Sequence, residues 1–403
     1  MTERLYLRDP YLREFQARVV AARRAEGRPG VILELDRTAF YPTSGGQLHD
    51  TGVLGDLHVL EVVEEDDARV AHRVDGAGPV EALVGREVSG RIDWERRFDH
   101  MQQHTGQHIL SQAALRDLGA ATLAVHLGAE RCTVDLDVAA FGAAEAARVE
   151  DAANAVVVEN RPVSIHFVDE AEIGRWGLRR PPKKSGTIRV IDIEGFDRSA
   201  CGGTHVRATG EIGAIAIIGW ERYKDGTRGE FVCGWRALRD HRWKTRAFAD
   251  MRRALSVSGP EVVEVVDRLA ARGRETARRA EETLQRLLAA EADLRRRGLT
   301  LPAVLTEVVT GRQRDEVRGL AQALIRDGGI VSLLATDDGR IVFARSADVP
   351  VDVAALLRRA VEQYGGRGGG RSEFAQGTLA DGAAVQQVLE TARRWAEEAL
   401  RGA

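Results

Sequence analysis

The sequence has few cysteines, no long apolar run and no strong excess of charge of either sign. Three cysteines, Cys132, Cys201 and Cys233, are too few for a disulfide framework. No stretch approaches the ~20 apolar residues of a membrane-spanning helix, and the charged start MTERLYLRD is unlike a signal peptide. A net charge of −3 gives no global sign of nucleic-acid binding, so any basic footprint must be local. These absences predict a cytoplasmic protein that does not contact a membrane.

Metal-ligating side chains stand four positions apart in two short segments. His104 and His108 lie in HTGQH, and Cys201 and His205 lie in CGGTH. On a helix this spacing places both ligands on one face. Three imidazoles and one thiolate suit tetrahedral zinc. Because 93 positions separate the two segments (201 − 108), a shared site requires the fold to join them. The alternatives are an accidental histidine pair and a small buried cysteine.

The first 92 residues predict a small β-barrel, since apolar residues such as Val31, Leu33 and Leu35 alternate with others. Within this part, the segment TAFYPTSGGQ (38–47) combines two glycines with hydroxyl and amide side chains. Such a segment allows the backbone to approach a ligand closely. A plain hairpin loop is the alternative.

Residues 93–238 predict a two-layer α/β unit. Its expected helices are 104–117 and 143–159, and its later strands are 163–167, 188–193, 214–219 and 229–234. A basic cluster precedes the CGGTH segment and consists of Arg175, Arg179, Arg180, Lys183, Lys184 and Arg189. It is either a phosphate-binding segment or a solvated loop.

Residues 239–300 predict a helical arm, broken near Ser258-Gly259-Pro260. Residues 301–403 predict a separate α/β domain, with helices 312–326, 352–364 and 382–400 and a hairpin of strands 329–335 and 340–346. The segment GGRGGGR (365–371) predicts a loop whose backbone N–H groups face an anion. The predicted fold class is therefore α+β: barrel, α/β core with a zinc site, helical arm and C-terminal α/β domain.

Four segments occur in an order that resembles a known family. TAFYPTSGGQLHDTG (38–52), HTGQH and CGGTH resemble the editing domain of alanyl-tRNA synthetase, and GGRGGGRSEFAQG (365–377) is similar to its C-terminal DHH-associated domain. The whole chain looks most like the long form of the free-standing trans-editing proteins called AlaX. The resemblance implies a barrel domain (1–92), a zinc-binding editing domain (93–238), the arm (239–300) and a tRNA-binding or dimerisation domain (301–403).

The resemblance also implies an enzyme, a zinc-dependent deacylase of mischarged seryl- and glycyl-tRNA(Ala). One zinc per chain is expected on His104, His108, Cys201 and His205. The residues matching the glycine-rich motif beside the amino-acid pocket are Thr38, Gly45, Gly46 and Gln47, and the Thr38 hydroxyl is a candidate reader of the serine hydroxyl. The expected tRNA contacts are Lys183, Lys184, Arg189, Arg367, Gly368, Gly369, Gly370 and Arg371. A homodimer through the arm or the C-terminal domain is expected.

Two departures from the synthetases limit what carries over. The stretch HLGAERC (126–132) replaces a Gln-Lys-Gly-Ser run near the pocket. Only about ninety residues precede the editing core, so the chain is expected neither to use ATP nor to charge tRNA.

The residues leave open whether zinc activates water or only orients the tRNA end. Asp99 and His100 are candidate general bases by proximity, with a helix cap and a surface histidine as alternatives.

Two other functions remain open from the sequence. One is a zinc-stabilised tRNA-binding module without catalysis. The other is a metal-dependent hydrolase of a small ester, which would need neither the basic cluster nor the Gly/Arg segment.

Overall fold

The computed structural model describes residues 1–65, 68–76, 80–182 and 185–402. Lys183 and Lys184 lie outside the described residues. The chain forms two compact units, of which the first ends at Met251 and the second begins at Arg252. The four-part division of the chain stays a prediction. Among the described helices, none is long and apolar enough to cross a membrane.

A closed six-stranded barrel begins the first unit and confirms the predicted barrel. Alternating apolar side chains fill it, including Val31, Leu33 and Leu35. The strands are β1 (Glu3–Arg4), β2 (Glu14–Arg24), β3 (Val31–Leu35), β4 (Arg37–Thr38), β5 (Gly52–Leu54), β6 (Leu57–Glu64), β7 (Val70–Val74) and β8 (Glu87–Ile92). The barrel order is β2-β3-β7-β6-β5-β8, whereas β1 and β4 pair separately in parallel. The loop between β4 and β5 carries the glycine-rich segment.

A long helix, α1 (Trp94–Leu118), follows the barrel directly. The Asp93 side chain caps its N-terminus by accepting a hydrogen bond from the Arg96 N–H, and Gly119 ends it in the left-handed conformation. The predicted helix, 104–117, started ten residues too late. The reason is that α1 buries polar as well as apolar residues, so the periodicity of its apolar residues is weak.

Two sheets complete the core of the first unit. Its further elements are β9 (Thr122–Leu127), β10 (Cys132–Leu136), α2 (Ala143–Val158), β11 (Val163–Asp169), β12 (Thr187–Ile193), β13 (Asp197–Ala200), β14 (Ile215–Tyr223) and β15 (Gly226–Cys233). The antiparallel orders are β14-β15-β10-β9 and β11-β12-β13. Apolar residues of α1, α2, β10 and β15 form one buried core. The second sheet ends at β13, just before CGGTH.

Two long helices follow, α3 (Trp235–Leu255) and α4 (Glu261–Arg296). They agree with the predicted helical arm and with its break near Pro260. Pro260 itself stands at the N-cap of α4, where its missing N–H costs no intrahelical hydrogen bond.

The second unit is built on a five-stranded sheet of order β16-β17-β18-β20-β19. Its elements after α4 are β16 (Ala303–Val308), α5 (Arg314–Ile325), β17 (Ile330–Ala335), β18 (Arg340–Arg345), α6 (Val353–Tyr364), β19 (Gly366–Arg371), β20 (Phe374–Leu379) and α7 (Val385–Arg401). Helices α4 and α5 share one buried core with the sheet, and α6 and α7 share another. The sequence predicted the helices and the β17–β18 hairpin.

The prediction of an open loop at 365–371 is wrong. Gly366–Arg371 is the edge strand β19, paired antiparallel with β20. Gly368 stands opposite Gly377, and a Cβ on Gly377 would come 3.1 Å from the Gly368 Cα. Glycines at this pair therefore allow a close approach of the two backbones, which a composition rule for loops does not detect. All six residues of β19 are exposed.

Candidate metal centre

Four side chains from the two predicted segments converge on one point. The ligand atoms of His104, His108, Cys201 and His205 all lie within 4.8 Å of one another. The Cys201 Sγ is 3.3 Å from the Nε2 of His104 and 3.3 Å from the Nε2 of His205. Ligands on a tetrahedral zinc stand roughly 3.3–3.6 Å apart. The donor set therefore suits a metal ion of this kind, and the two distances from the Cys201 Sγ already match the spacing.

Each imidazole is held through its Nδ1, which leaves the Nε2 atoms to face one another. The Nδ1 of His104 lies 2.7 Å from the Gln47 Oε1, that of His108 lies 3.2 Å from the Asp197 Oδ2, and that of His205 lies 3.1 Å from the Thr105 Oγ1. An amide or carboxylate oxygen only accepts, so the Nδ1 of His104 and of His108 carries the proton. Outer partners of this kind orient metal-ligating histidines and fix their tautomer.

Gln47 joins the two metal-binding segments through one buried amide. Its Oε1 accepts from the His104 ring and from the Thr204 N–H at 3.2 Å, while its Nε2 donates to the Thr204 Oγ1 at 2.9 Å. Helix α1 and the CGGTH turn are thus tied to the loop between β4 and β5. The sequence singled out Gln47 as a pocket residue, and the structure places it directly behind the cluster.

The glycine-rich segment forms a tight turn that reaches the neighbouring sheet. Ser44 and Gln47 exchange two backbone hydrogen bonds across Gly45 and Gly46, whose φ angles are +57° and +85°. Two consecutive positive φ angles favour glycine at both positions. The Gly46 carbonyl accepts from the Leu127 N–H at 2.9 Å. The turn is therefore anchored on β9, and this anchor fixes the position of Gln47.

The two glycines of CGGTH differ in their surroundings. A Cβ on Gly203 would overlap the His104 ring and would lie 3.1 Å from the Gln47 Oε1. A Cβ on Gly202 would meet nothing within 4 Å. Only the second glycine of the pair is required by the packing around the cluster.

Two arginines of the predicted basic cluster face inward. The Arg179 Nε pairs with the Asp197 Oδ1 at 3.2 Å, and the Ser199 Oγ donates to the Asp197 Oδ2 at 2.9 Å. The pKa of the Asp197 carboxyl is lowered, because hydrogen bonds from His108 and Ser199 and the charge of Arg179 outweigh the effect of burial. Asp197 is therefore a fixed anion behind His108.

Arg189 lies against the cysteine turn. Its Nη1 donates to the carbonyls of Cys201 and Gly203 at 2.7 and 2.9 Å, and its Nε donates to the Leu7 carbonyl at 2.8 Å. The side chain is buried and clamps the turn onto the N-terminal segment. A phosphate contact by Arg189 stays a prediction, and these bonds already engage most of its donors.

The electrostatics around the cluster favour metal-binding protonation states. Burial alone raises the pKa of the Cys201 thiol, but the neighbouring His108, the hydrogen bond from the Gly203 N–H and the Arg189 charge lower it overall. Burial, assisted by the Arg189 charge, lowers the pKa of His104 to about 3. A thiolate and neutral imidazoles are the forms that bind a metal ion.

Thr38 is fully enclosed in the barrel wall. Its Oγ1 lies 2.8 Å from the His72 Nε2 and accepts from the Phe40 N–H at 3.1 Å. The His72 Nδ1 donates to the Leu33 carbonyl, so the Nε2 accepts and the Thr38 hydroxyl donates to it. One lone pair of the Thr38 oxygen remains for another partner. Its role in reading serine stays a prediction.

The structure contradicts both alternatives considered for Asp99 and His100, a helix cap and a surface histidine. Asp99 is not the helix cap, which is Asp93, and its carboxylate is paired with Arg236 at 2.6 Å. His100 is buried rather than on the surface. Arg236 donates to both carboxylate oxygens, so Asp99 is engaged in an ion pair and does not suit the role of general base.

Sequence reasoning missed several supporting residues, among them Thr105, Asp197 and the buried ion pair of Arg97 with Asp50. Arg97 also donates to the Pro10 and Ala39 carbonyls, so it ties α1 to the barrel. Thr105 lies beside a ligand in the sequence, and Asp197 lies four residues before Cys201. Such proximity was the only signal, and it does not say which histidine each residue contacts.

The C-terminal arginines lie in the second unit. Arg367 and Arg371 are exposed on β19, two positions either side of Gly369 and therefore on the same face of the strand. A Cβ on Gly369 would meet nothing within 4 Å, so this face is open to solvent.

Comparisons with known proteins match both units. The family model described as the threonyl and alanyl tRNA synthetase second additional domain matches residues 188–228, and the DHHA1 domain model matches residues 302–398. The C-Ala domain of Aquifex aeolicus alanyl-tRNA synthetase, a crystal structure, matches with a TM-score of 0.20 and 24% identity over 22% of this chain and 89% of that chain.

Curated relatives match nearly all of the chain. The alanine–tRNA ligase of Pyrococcus abyssi is 31% identical over 97% of this chain and 43% of its own length, and that of Pyrobaculum neutrophilum is 35% identical over 98% and 44%. The chain thus spans less than half the length of these ligases. The alanyl-tRNA editing protein AlaX-L of Pyrococcus horikoshii is 30% identical over 94% of this chain and 95% of its own length. Since this match extends over nearly the whole of both proteins, the chain belongs to the AlaX-L family of alanyl-tRNA editing proteins.

Proposed function

We propose that this protein is a trans-editing aminoacyl-tRNA deacylase of the cytoplasm. It hydrolyses the ester that joins serine, and with it glycine, to tRNA(Ala), and it does not aminoacylate tRNA. The observation that carries the proposal is the cluster of three histidines and a cysteine, held by Gln47 of the glycine turn. The match to an editing protein over 95% of that protein's length supports the same function.

We propose one zinc ion per chain, held by His104, His108, Cys201 and His205. When bound, zinc supplies a Lewis acid that polarises an ester carbonyl or lowers the pKa of a water. Gln47 and Asp197 hold His104 and His108 in the ligating tautomer. The chain thereby presents a preorganised donor set to the metal.

The glycine turn and Thr38 form the amino-acid side of the proposed site. Gly45 and Gly46 present backbone without side chains, and Gln47 secures the turn against the metal-binding segments. In this proposal Thr38 accepts a hydrogen bond from the serine hydroxyl through its remaining lone pair. A substrate hydroxyl bonded in this way distinguishes serine from alanine.

The second unit holds the body of the tRNA in this proposal. Arg367 and Arg371 contact phosphates, and Gly368, Gly369 and Gly370 keep the strand between them free of side chains. Guanidinium groups form strong hydrogen bonds with phosphate oxygens. Lys183 and Lys184 extend the contact in the first unit, and two copies of the chain associate through the helical arm or the second unit.

The direct test is deacylation of Ser-, Gly- and Ala-tRNA(Ala) by the purified protein. We expect hydrolysis of the serine and glycine esters, slower hydrolysis of the alanine ester, loss of activity with a chelator and recovery on adding zinc. Incubation with ATP, alanine and tRNA(Ala) is expected to form no Ala-tRNA. A folded, zinc-loaded protein that binds tRNA but leaves Ser-tRNA(Ala) intact would instead be a binding module.

A further inference from the structure

A third histidine of α1, His100, lies one helical turn before His104. It belongs neither to the metal cluster nor to the groups that support it. The residue is only 3% exposed, and its Nδ1 is buried without a hydrogen-bond partner among the described residues.

A buried polar group without a partner lowers stability, so native proteins rarely keep one without a use. His72, the other buried histidine outside the cluster, has partners on both ring nitrogens, Thr38 and Leu33. The contrast shows that the fold of this chain can satisfy a buried imidazole. The unpaired Nδ1 of His100 therefore points to a ligand that is bound only during function.

The charged neighbours of His100 connect it to two segments of the proposed site. They include Arg96, whose Nε donates to the His49 carbonyl at 2.9 Å, and Arg236, whose Nη1 donates to the Gly128 carbonyl at 2.8 Å. His49 follows the glycine turn, and Gly128 directly follows the strand on which that turn is anchored. Two of the arginines around His100 are thus bonded to segments of the proposed site.

The ring of His100 is neutral. Burial, assisted by the charge of Arg96, lowers its pKa to about 3. A neutral imidazole offers one donor and one acceptor nitrogen. Three arginines, Arg96, Arg97 and Arg236, outnumber one carboxylate, Asp50, around the ring, and this disfavours a cationic ligand group such as the amino group of the aminoacyl moiety. A hydroxyl, which is neutral and can both donate and accept, fits this position best.

We propose that His100 contacts the substrate by hydrogen bonding to the free ribose hydroxyl of the 3′-terminal nucleoside. This inference rests on the proposed deacylase function. The aminoacyl ester occupies one of two neighbouring hydroxyls, so the other is always close to the reacting carbonyl. Side chains at i and i+4 of a helix have Cβ atoms ~5–6 Å apart. His100 therefore reaches the second hydroxyl while the ester lies at the His104 end.

The test pairs a protein change with a substrate change. The variants are His100→Leu, which removes both ring nitrogens, and His100→Asn, whose amide places a polar atom near Nδ1. The substrates are Ser-tRNA(Ala), esterified at the 3′ oxygen, with or without the 2′ hydroxyl of the terminal nucleoside. For His100→Leu we expect kcat/KM to fall about 10- to 100-fold, the range for a hydrogen bond in a preorganised site. His100→Asn should recover part of the loss.

The substrate lacking the hydroxyl should slow the wild-type protein by a similar factor and His100→Leu by little more. Removing both partners of one interaction is not additive. Bound metal should stay at one per chain in His100→Leu, and its thermal midpoint should equal or exceed that of the wild type. His72→Leu, which removes a buried histidine that does have hydrogen-bond partners, should instead lower the midpoint because Thr38 and the Leu33 carbonyl lose their bonds to it.

Three results would overturn the assignment: kcat/KM of His100→Leu within twofold of wild type, losses from variant and substrate that multiply, or loss of metal in His100→Leu. The wild-type rate on the unmodified substrate tests the deacylase function separately. If that rate is zero, the proposed function fails; if it is normal and the coupling is absent, only the role of His100 fails.

Discussion

Helices α1 and α7 represent opposite uses of a buried surface. Of the fifteen buried residues of α1, nine are polar or charged. Those of α7, which include Val385, Val388 and Leu389, are apolar except for Thr391. Helix α1 buries hydrogen-bonded groups that hold a proposed site, whereas α7 only completes a core. In the second unit, the arginines proposed to bind tRNA stand on the surface instead.

The comparison shows that the proposed sites of the two units depend on different kinds of interaction. The site of the first unit depends on a chain of buried hydrogen bonds, each of which is costly to leave unmade. The proposed site of the second unit depends on exposed charge, which acts additively and is screened by salt. Changes in the first unit should therefore be severe and specific, and changes in the second should be mild and dependent on ionic strength.

The largest effect is expected from removing a metal ligand. Cys201→Ala should lower bound zinc from one per chain to near zero, and deacylation of Ser-tRNA(Ala) should fall by more than ~100-fold, beyond the usual loss from an outer-shell change. Metal analysis and a single-turnover assay check this. Cys132→Ala, a change of a buried thiol that contacts Gln103 rather than the cluster, should keep its metal. Full zinc in Cys201→Ala would disprove the shared site.

Acidification should destabilise the first unit more than the second. All ten histidines lie in the first unit. Burial lowers the pKa of His72 from 6.5 to about 4, so between these values the unfolded state binds more protons than the folded state. The stability that His72 contributes is present above pH 6.5 and is lost as pH falls towards 4, by about 3 kcal/mol at about 1.4 kcal/mol per pKa unit.

Urea unfolding followed by tryptophan fluorescence measures this effect, since five of the six tryptophans lie before residue 252. The midpoint should fall between pH 7 and pH 4.5. The fluorescence of Trp395, isolated by replacing the other five with phenylalanine, should show a smaller change for the second unit. Equal changes in both units would mean that the buried histidines do not set the acid sensitivity.

The two glycines of the cysteine turn offer a matched pair. Gly203→Ala should displace the His104 ring and weaken zinc binding by ~10- to 100-fold, as an outer-shell defect does. Gly202→Ala has open space for its methyl group and should bind zinc within about twofold of the wild type. Competition with a chromophoric chelator measures both affinities. Equal affinities in the two variants would contradict the packing described for Gly203.

Loss of charge in the second unit should act on tRNA binding alone. Arg367→Ala with Arg371→Ala should weaken binding of whole tRNA by about tenfold at low salt and reduce the slope of log K against log salt by about one to two. Hydrolysis of a short aminoacylated minihelix should not change. An unaltered salt slope would show that Arg367 and Arg371 do not contact phosphates. Arg393→Ala, a change of an exposed arginine on α7 paired with Glu397, is the control.

The smallest effect is expected from Thr38→Val. Loss of one hydrogen bond to the serine hydroxyl should lower the ratio of Ser-tRNA to Ala-tRNA hydrolysis by about fivefold, the value of about 1 kcal/mol. Rates on the two esters under identical conditions measure the ratio. If the variant is less stable but its ratio of Ser-tRNA to Ala-tRNA hydrolysis is unchanged, Thr38 has only a structural role, through its bonds with His72 and Phe40.

The metal cluster shows how far sequence reasoning reaches. His104 and His108 could be paired because a helix repeats every 3.6 residues, and Cys201 and His205 because of the turn that separates them. The resemblance to a family then suggested that the pairs join. Asp197, Thr105 and Arg189 could not be assigned to a ligand, because their partners are set by how β12, β13 and α1 pack.

The sequence by itself determined the residue types of the site, the barrel and the order of most helices, since these depend on local spacing and on alternation of apolar residues. Tertiary structure alone decided the full length of α1, the edge strand at Gly366–Arg371 and the isolation of His100. In each of these the deciding interactions are made between residues far apart in the chain: buried polar contacts, close glycine pairing, or the absence of a partner. Local propensity carries no information about such interactions.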